Sequence, residues 1–173
     1  MGTLTEVIIR NLNEKLGWAE RSHQRIVADL KNEDNVKDHF WSYLTAVQTA
    51  WFYFSRWVKE NPTIIESANV LIDRWKIDNL NNDERDSWDL LRNLRNEDTH
   101  DNPVSANYSI VKKLLISANG EFLVTADGKF FVTESQQLQV EYNHQQYDIA
   151  SLVVHGLSCI NKLIQFISSH SSS

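Results

Sequence analysis

Arg95, Asn96 and His100 are the residues whose types and spacing point most directly to chemistry. They close a segment that runs from Glu84 to His100, in which Trp88, Leu91 and Arg95 recur at i, i+3 and i+7. An arginine therefore takes a place that the helical pattern reserves for an apolar side chain. Asn96 and His100 are i, i+4 neighbours, so they share the adjoining helix face. The three groups converge near the C-terminal end of one helix, at the edge of its packed side. A histidine exchanges protons near neutral pH, taking one from a ribose 2′-hydroxyl or giving one to a leaving oxygen. An arginine holds phosphate oxygens in a two-pronged fork and stabilises the charge that develops on them. An asparagine orients the histidine or the phosphate. The trio suits phosphodiester cleavage of RNA, a reaction that needs no metal or other cofactor.

The elements that must position this trio are mostly helices. A first helix is expected over about 3–30, with Ile9, Leu12 and Leu16 on one stripe and a break near Gly17 as an open alternative. The clearest pattern follows: Phe40, Leu44, Val47, Trp51, Phe54 and Val58 alternate spacings of four and three, and Ala46, Ala50, Tyr53 and Trp57 widen the face. This marks a central helix that stops at Asn61-Pro62. The aromatic stripe reads as core, not as a platform for stacking bases. A third helix is expected from Thr63 to Trp75, with Ile65, Ala68, Ile72 and Trp75 inward. Asn81-Asn82-Asp83 supplies the cap of the fourth helix, and Asp83, Glu84 and Asp86 suit its positive end. That helix runs towards His100 and must end before Pro103.

After Pro103 the character changes. Asn119-Gly120 and Asp127-Gly128 are tight-turn signals between short runs of strand formers, Leu114–Ser117, Glu121–Thr125 and Lys129–Thr133, with Leu138–Tyr142 as a further strand. A small antiparallel β-meander is expected within 110–142, although Ile110–Ile116 fits a helix extension equally well. A last helix follows, with Ile149, Val153, Gly156, Ile160, Leu163 and Ile167 again spaced by four and three. The expected fold is mainly α: a bundle of about five helices with the meander inserted before the last one. One domain is expected over 1–168, with a disordered tail at 169–173.

Composition narrows the function classes. The 173 residues are 42% hydrophobic and 23% charged, as in an ordinary globular domain. A net charge of -6 argues against a protein that coats nucleic acid by bulk electrostatics, and DNA is not an expected partner. Glu6 and Arg10 interrupt the first apolar stretch, so it does not resemble a signal peptide. The run Ala46–Val58 is too short to span a bilayer. No membrane partner and a cytoplasmic location are expected, and the sequon Asn107-Tyr108-Ser109 carries little meaning there. Cys159, the single cysteine, lies among Leu157, Ile160 and Leu163 and reads as a buried, inert thiol. His23 and His39 read as structural, since neither has a helical His or Glu at ligand spacing; His144 falls in a turn and His170 in the tail. The separation of His155 from His100 cannot be read from sequence. There is no glycine-rich phosphate loop and no nucleophile elbow.

Arg95-Asn96-Glu97-Asp98-Thr99-His100 resembles the signature of the HEPN superfamily. That signature is an arginine, four to six residues and a histidine, with a polar residue usually following the arginine. The helical surroundings, with the motif late in a helix bearing Trp88 and leucines and another helix to come, are similar too. The resemblance covers the first four helices and extends to the last, with the meander as an insertion. It implies a metal-independent endoribonuclease of the toxin or defence type, with Arg95 and His100 catalytic and Asn96 supporting. It also implies a homodimer in which two motifs meet, and an antitoxin protein as a further partner.

Two features stand against activity. Between Asn81 and Asp101 seven acids (Asp83, Glu84, Asp86, Asp89, Glu97, Asp98, Asp101) face three arginines (Arg85, Arg92, Arg95). The acids nearest His100 repel a phosphate backbone unless they pair with Arg92 or turn aside, and they favour protonated imidazole. Asn102 stands where family members regulated by nucleotidyl transfer carry a tyrosine. The second reading is a non-catalytic HEPN-like interaction or nucleotide-binding module. In that reading Arg95 packs its stem on Trp88, and His100 answers the helix dipole.

Overall fold

The computed structural model describes residues 3–29, 33–61, 64–98, 106–114, 126 and 132–170. Among them are five helices: α1 (Leu4–Ala28), α2 (Glu33–Glu60), α3 (Ala68–Asn79), α4 (Asn82–Asp98) and α5 (Ile149–Ser169). Three strands, β1 (Ala106–Leu114), β2 (Val132–Tyr142) and β3 (Gln145–Asp148), precede the last helix. The fold is the expected one, a mainly α bundle with a small antiparallel meander before the final helix.

Cross-helix contacts fix the directions. Trp57 Nε1 donates to Thr5 Oγ1 at 3.2 Å, which places the start of α1 beside the end of α2. Tyr43 Oη donates to the Val153 carbonyl at 2.8 Å, joining the first half of α2 to the start of α5. Lys162 Nζ reaches Glu84 at 2.6 Å, joining the second half of α5 to the start of α4. The C-terminal end of α4 therefore shares one end of the bundle with the starts of α2 and α5. The core between the helices holds Trp57, Trp75, Trp88, Tyr43 and Phe54, all fully buried. The Trp75 and Trp88 rings meet edge to face at 5.6 Å, locking α3 to α4.

Local chemistry explains the boundaries. Thr3 and Glu6 form a reciprocal capping box at the start of α1, with Thr3 N donating to Glu6 Oε2 at 2.8 Å. The helix passes Gly17 without a break. Further along, α2 begins earlier than its apolar stripe, and α3 begins later than expected because Ser67 accepts from the Val70 N–H as its N-cap. Ile65 accordingly lies before the helix and is 98% exposed instead of inward.

The sheet has the order β1-β2-β3, all antiparallel. Strand β1 pairs with β2 from Ala106↔Val140 to Leu114↔Val132. The open choice at 110–116 thus resolves as strand through Leu114, and the sheet spans 106–148, not 110–142. Its described hairpin is one the dipeptide signals did not mark. Asn143 and His144 both take positive φ, 51° and 62°, as a tight two-residue turn requires. The expected strands within 115–125 and 127–131, and both Asn-Gly and Asp-Gly turns, lie outside the described residues. Val140 is fully buried and Tyr142 and Tyr147 pack on the helical core, so the sheet is anchored at its β2–β3 end.

Helix α5 is long and apolar enough, by length and composition, to cross a bilayer. Here Leu152, Val153, Cys159, Ile160, Leu163 and Ile167 are buried among the other helices. The tail expected to be disordered from 169 is ordered at its first two residues. Ser169 ends the helix, and His170 caps it, its ring 4.3 Å from that of Phe166 and 6.1 Å from that of Trp57. Residues 171–173 lie outside the described residues.

Candidate functional site

The helix that carries the candidate site is held firmly at its start. Asn81 Oδ1 accepts from the Glu84 N–H, and Glu84 Oε2 accepts from the Asn81 N–H, each at 2.9 Å. The same carboxylate, only 5% exposed, accepts from Ser158 Oγ at 2.7 Å and from Lys162 Nζ at 2.6 and 2.8 Å. Burial alone would raise its pKa; hydrogen bonds from Lys162, Ser158 and the Asn81 N–H outweigh that and hold it at about 2. Since the unfolded chain takes up this proton near 4.5, the pair stabilises fully above about pH 5. The contribution, on the order of 2–3 kcal/mol, is lost as pH falls towards 2. Urea unfolding from pH 7 to pH 3 is expected to show this slope in wild type. Glu84→Gln should lack it and be less stable at pH 7.

Beyond the cap, Trp88, Leu91 and Leu94 are fully buried and Leu90 nearly so. Arg95 continues the predicted stripe into a half-buried position, and Asn96 beside it is exposed. The two residues sit together on the last turns of α4, and each engages a neighbour within the protein. His100 and Asp101 lie outside the described residues, as do the side chains of Glu97 and Asp98. The structure therefore places the Arg95–Asn96 half of the motif.

Arg92 joins that half. Its guanidinium lies over the Trp51 ring, 4.0 Å from the centroid, and burial lowers its pKa from the ordinary arginine value, against the opposing pull of Asp89 and Asp73. Its Nε is buried without a hydrogen-bond partner. Arg92 precedes Arg95 by three positions and Asn96 by four, so all three share one side of α4. Two guanidinium groups and an amide on adjoining turns suit a phosphodiester better than one arginine alone. In the sequence, Arg92 stands out only as a counter-ion for the neighbouring acids. Its placement depends on Trp51, whose position in the core stripe carried no hint of such a contact. Two of the seven acids are neutralised elsewhere, Glu84 by Lys162 and Asp89 by Lys76 at 3.0 Å.

His155 is not part of this cluster. Its Nδ1 lies 2.9 Å from Ser87 Oγ, two turns before Arg95 along α4, in an open recess of about 200 Å³. Asp83, Asp86 and Asp148 line that recess, which makes it unsuited to an anion. His39 is held by Asp29 at 3.0 Å, in the structural role expected of it. No group of three or more His, Cys, Asp or Glu able to hold a metal is present among the described residues.

Cys159 is fully buried, and burial first, then the Glu84 charge, pushes its thiol up to about 12. Iodoacetamide at pH 8 is expected to label the native protein at least about 10³-fold more slowly than the urea-unfolded chain, because the thiolate is the reactive form. Mass spectrometry of the labelled protein reads this directly.

The chain matches no protein-family model and shows no significant similarity to a curated protein or to a solved structure.

Proposed function

We propose that the chain is a HEPN-like, metal-independent endoribonuclease of the toxin or defence type, acting as a homodimer in the cytoplasm. The observation that supports it most is Arg95, half-buried at the edge of an otherwise apolar face, with Asn96 next in the chain and His100 at the signature spacing. His100 takes the proton from a ribose 2′-hydroxyl, and the freed oxygen attacks phosphorus. The bond from phosphorus to the 5′-oxygen breaks, and that oxygen receives a proton, from the same residue of the second copy where the motifs meet. The products are a 2′,3′-cyclic phosphate and a 5′-hydroxyl. Arg95 clamps the phosphate and the charge that builds on it, with Asn96 positioning the reacting groups. An antitoxin protein would be the natural partner of such an activity.

Incubation with total RNA in the presence of EDTA, wild type beside His100→Ala, tests the reading. Cleavage by wild type that the variant lacks is expected. No cleavage at any neutral pH, or cleavage unchanged in the variant, overturns it. One observation favours a second reading, a non-catalytic interaction or nucleotide-binding module: Arg95 and Asn96 already have partners inside the protein. That reading predicts a silent His100→Ala and a protein harmless when overexpressed.

A further inference from the structure

The first helix carries a cationic recess that the proposed cleavage site does not use. Arg21, Ser22 and Arg25 of α1, with Trp18 one turn before and Ser42 of α2 opposite, line a hollow of about 220 Å³. Trp18 is 45% exposed although the core holds most of the other tryptophans. Lys15 Nζ sits 3.3 Å from the centroid of its ring and adds a third positive charge to the strip. Against these cations stands Glu14, 3.8 Å from Lys15 and 57% exposed. No salt bridge engages Arg21 or Arg25 among the described residues. In a chain of net charge -6, two guanidinium groups without a salt bridge thus stand one turn apart on one helix.

We infer that this recess binds the phosphate of a nucleotide whose base lies on Trp18. Arginine forks match phosphate oxygens in charge and geometry, and the Ser22 hydroxyl supplies a further donor. An exposed indole beside a cationic track is the arrangement that takes up an unpaired base. The hollow is smaller than the roughly 300–1,000 Å³ of pockets that engulf a whole small molecule. It therefore takes the phosphate and leaves the base outside, on the indole. The same chemistry is offered by a free mononucleotide and by one residue of a single strand, and it holds whether or not the chain cleaves RNA.

The test is titration of the full chain at low salt with AMP, followed by calorimetry, and with a fluorescent 2′-O-methyl decauridylate, followed by anisotropy. The 2′-O-methyl group blocks cleavage through the 2′-oxygen, so binding is read apart from the proposed reaction. Binding in either arm should weaken at least tenfold in Arg21→Ala/Arg25→Ala and at least about threefold in Trp18→Ala. Arg21→Lys/Arg25→Lys should retain part of it, and circular dichroism should show all variants folded. Response to AMP identifies a free nucleotide as the ligand, and response to the oligomer alone identifies a single strand. Affinity unchanged by the double alanine variant, or no binding of either probe, overturns the inference.

Discussion

His100→Ala is expected to lower the rate of the proposed RNA cleavage by about 10²–10⁴-fold, the usual contribution of a positioned proton-transfer group. Arg95→Ala costs about 10²–10³-fold, as expected when one donor to the developing phosphate charge is removed. Arg95→Lys recovers only part, since an ammonium keeps the charge but loses the planar fork. Arg95 is only half-buried, so thermal denaturation of its variants should stay within a few degrees of wild type. Single-turnover rates on a defined oligoribonucleotide, taken beside melting curves, separate lost chemistry from lost folding. Arg92→Ala belongs in the same series. Its guanidinium on Trp51 shares a side of α4 with Arg95 and Asn96, and a loss of rate smaller than that of Arg95→Ala is expected.

Gly156→Ala is the substitution expected to damage the fold most. Along α5, Gly156 lets α2 and α4 approach: a Cβ there would run into the Tyr43 hydroxyl and lie 2.7 Å from Leu91 Cδ1. Tyr43 cannot swing away freely, being fully buried with its hydroxyl bonded to the Val153 carbonyl at 2.8 Å. Forcing a methyl group into such packing costs about 1–3 kcal/mol. Losing the buried hydrogen bond adds about 1–3 kcal/mol, while the gain in helix propensity returns about 1 kcal/mol. A net loss of roughly 2–4 kcal/mol is expected in urea unfolding. The double variant Tyr43→Phe/Gly156→Ala should recover part of that loss, because removing the hydroxyl makes room for the methyl. If the double variant is as unstable as the two single losses added together, the steric account fails.

The helices were legible because their apolar spacing is set by what they bury. Phe40 to Val58 and Ile149 to Ile167 each present one face to the core, and the structure buries those faces. Boundaries followed caps more than stripes: Asn81 was recognisable as a cap, whereas Ser67 was hidden by the apolar Ile64-Ile65 that precedes it. The turn at His144 was expected, but not the strand β3 that completes a hairpin there, because the left-handed Asn143 and His144 are not glycine and carry no hairpin signal. Of the site, Arg95 and Asn96 were readable from helical phase alone. The stacking of Arg92 on Trp51 and the pairing of Ser87 with His155 were not, since both join residues on different helices whose relative rotation no local pattern encodes. The recess at Trp18 was hidden for the same reason, as Ser42 comes from the neighbouring helix.

The most direct measurement uses two oligoribonucleotides in EDTA, identical except that one carries 2′-deoxyribose at the cleaved position. Wild-type protein is predicted to cut the all-ribose strand, leaving a 2′,3′-cyclic phosphate and a 5′-hydroxyl, and to leave the deoxy position intact. Cutting at the deoxy position, or ends bearing a 3′-hydroxyl and a 5′-phosphate, would contradict attack by the 2′-oxygen and with it the roles given to His100 and Arg95.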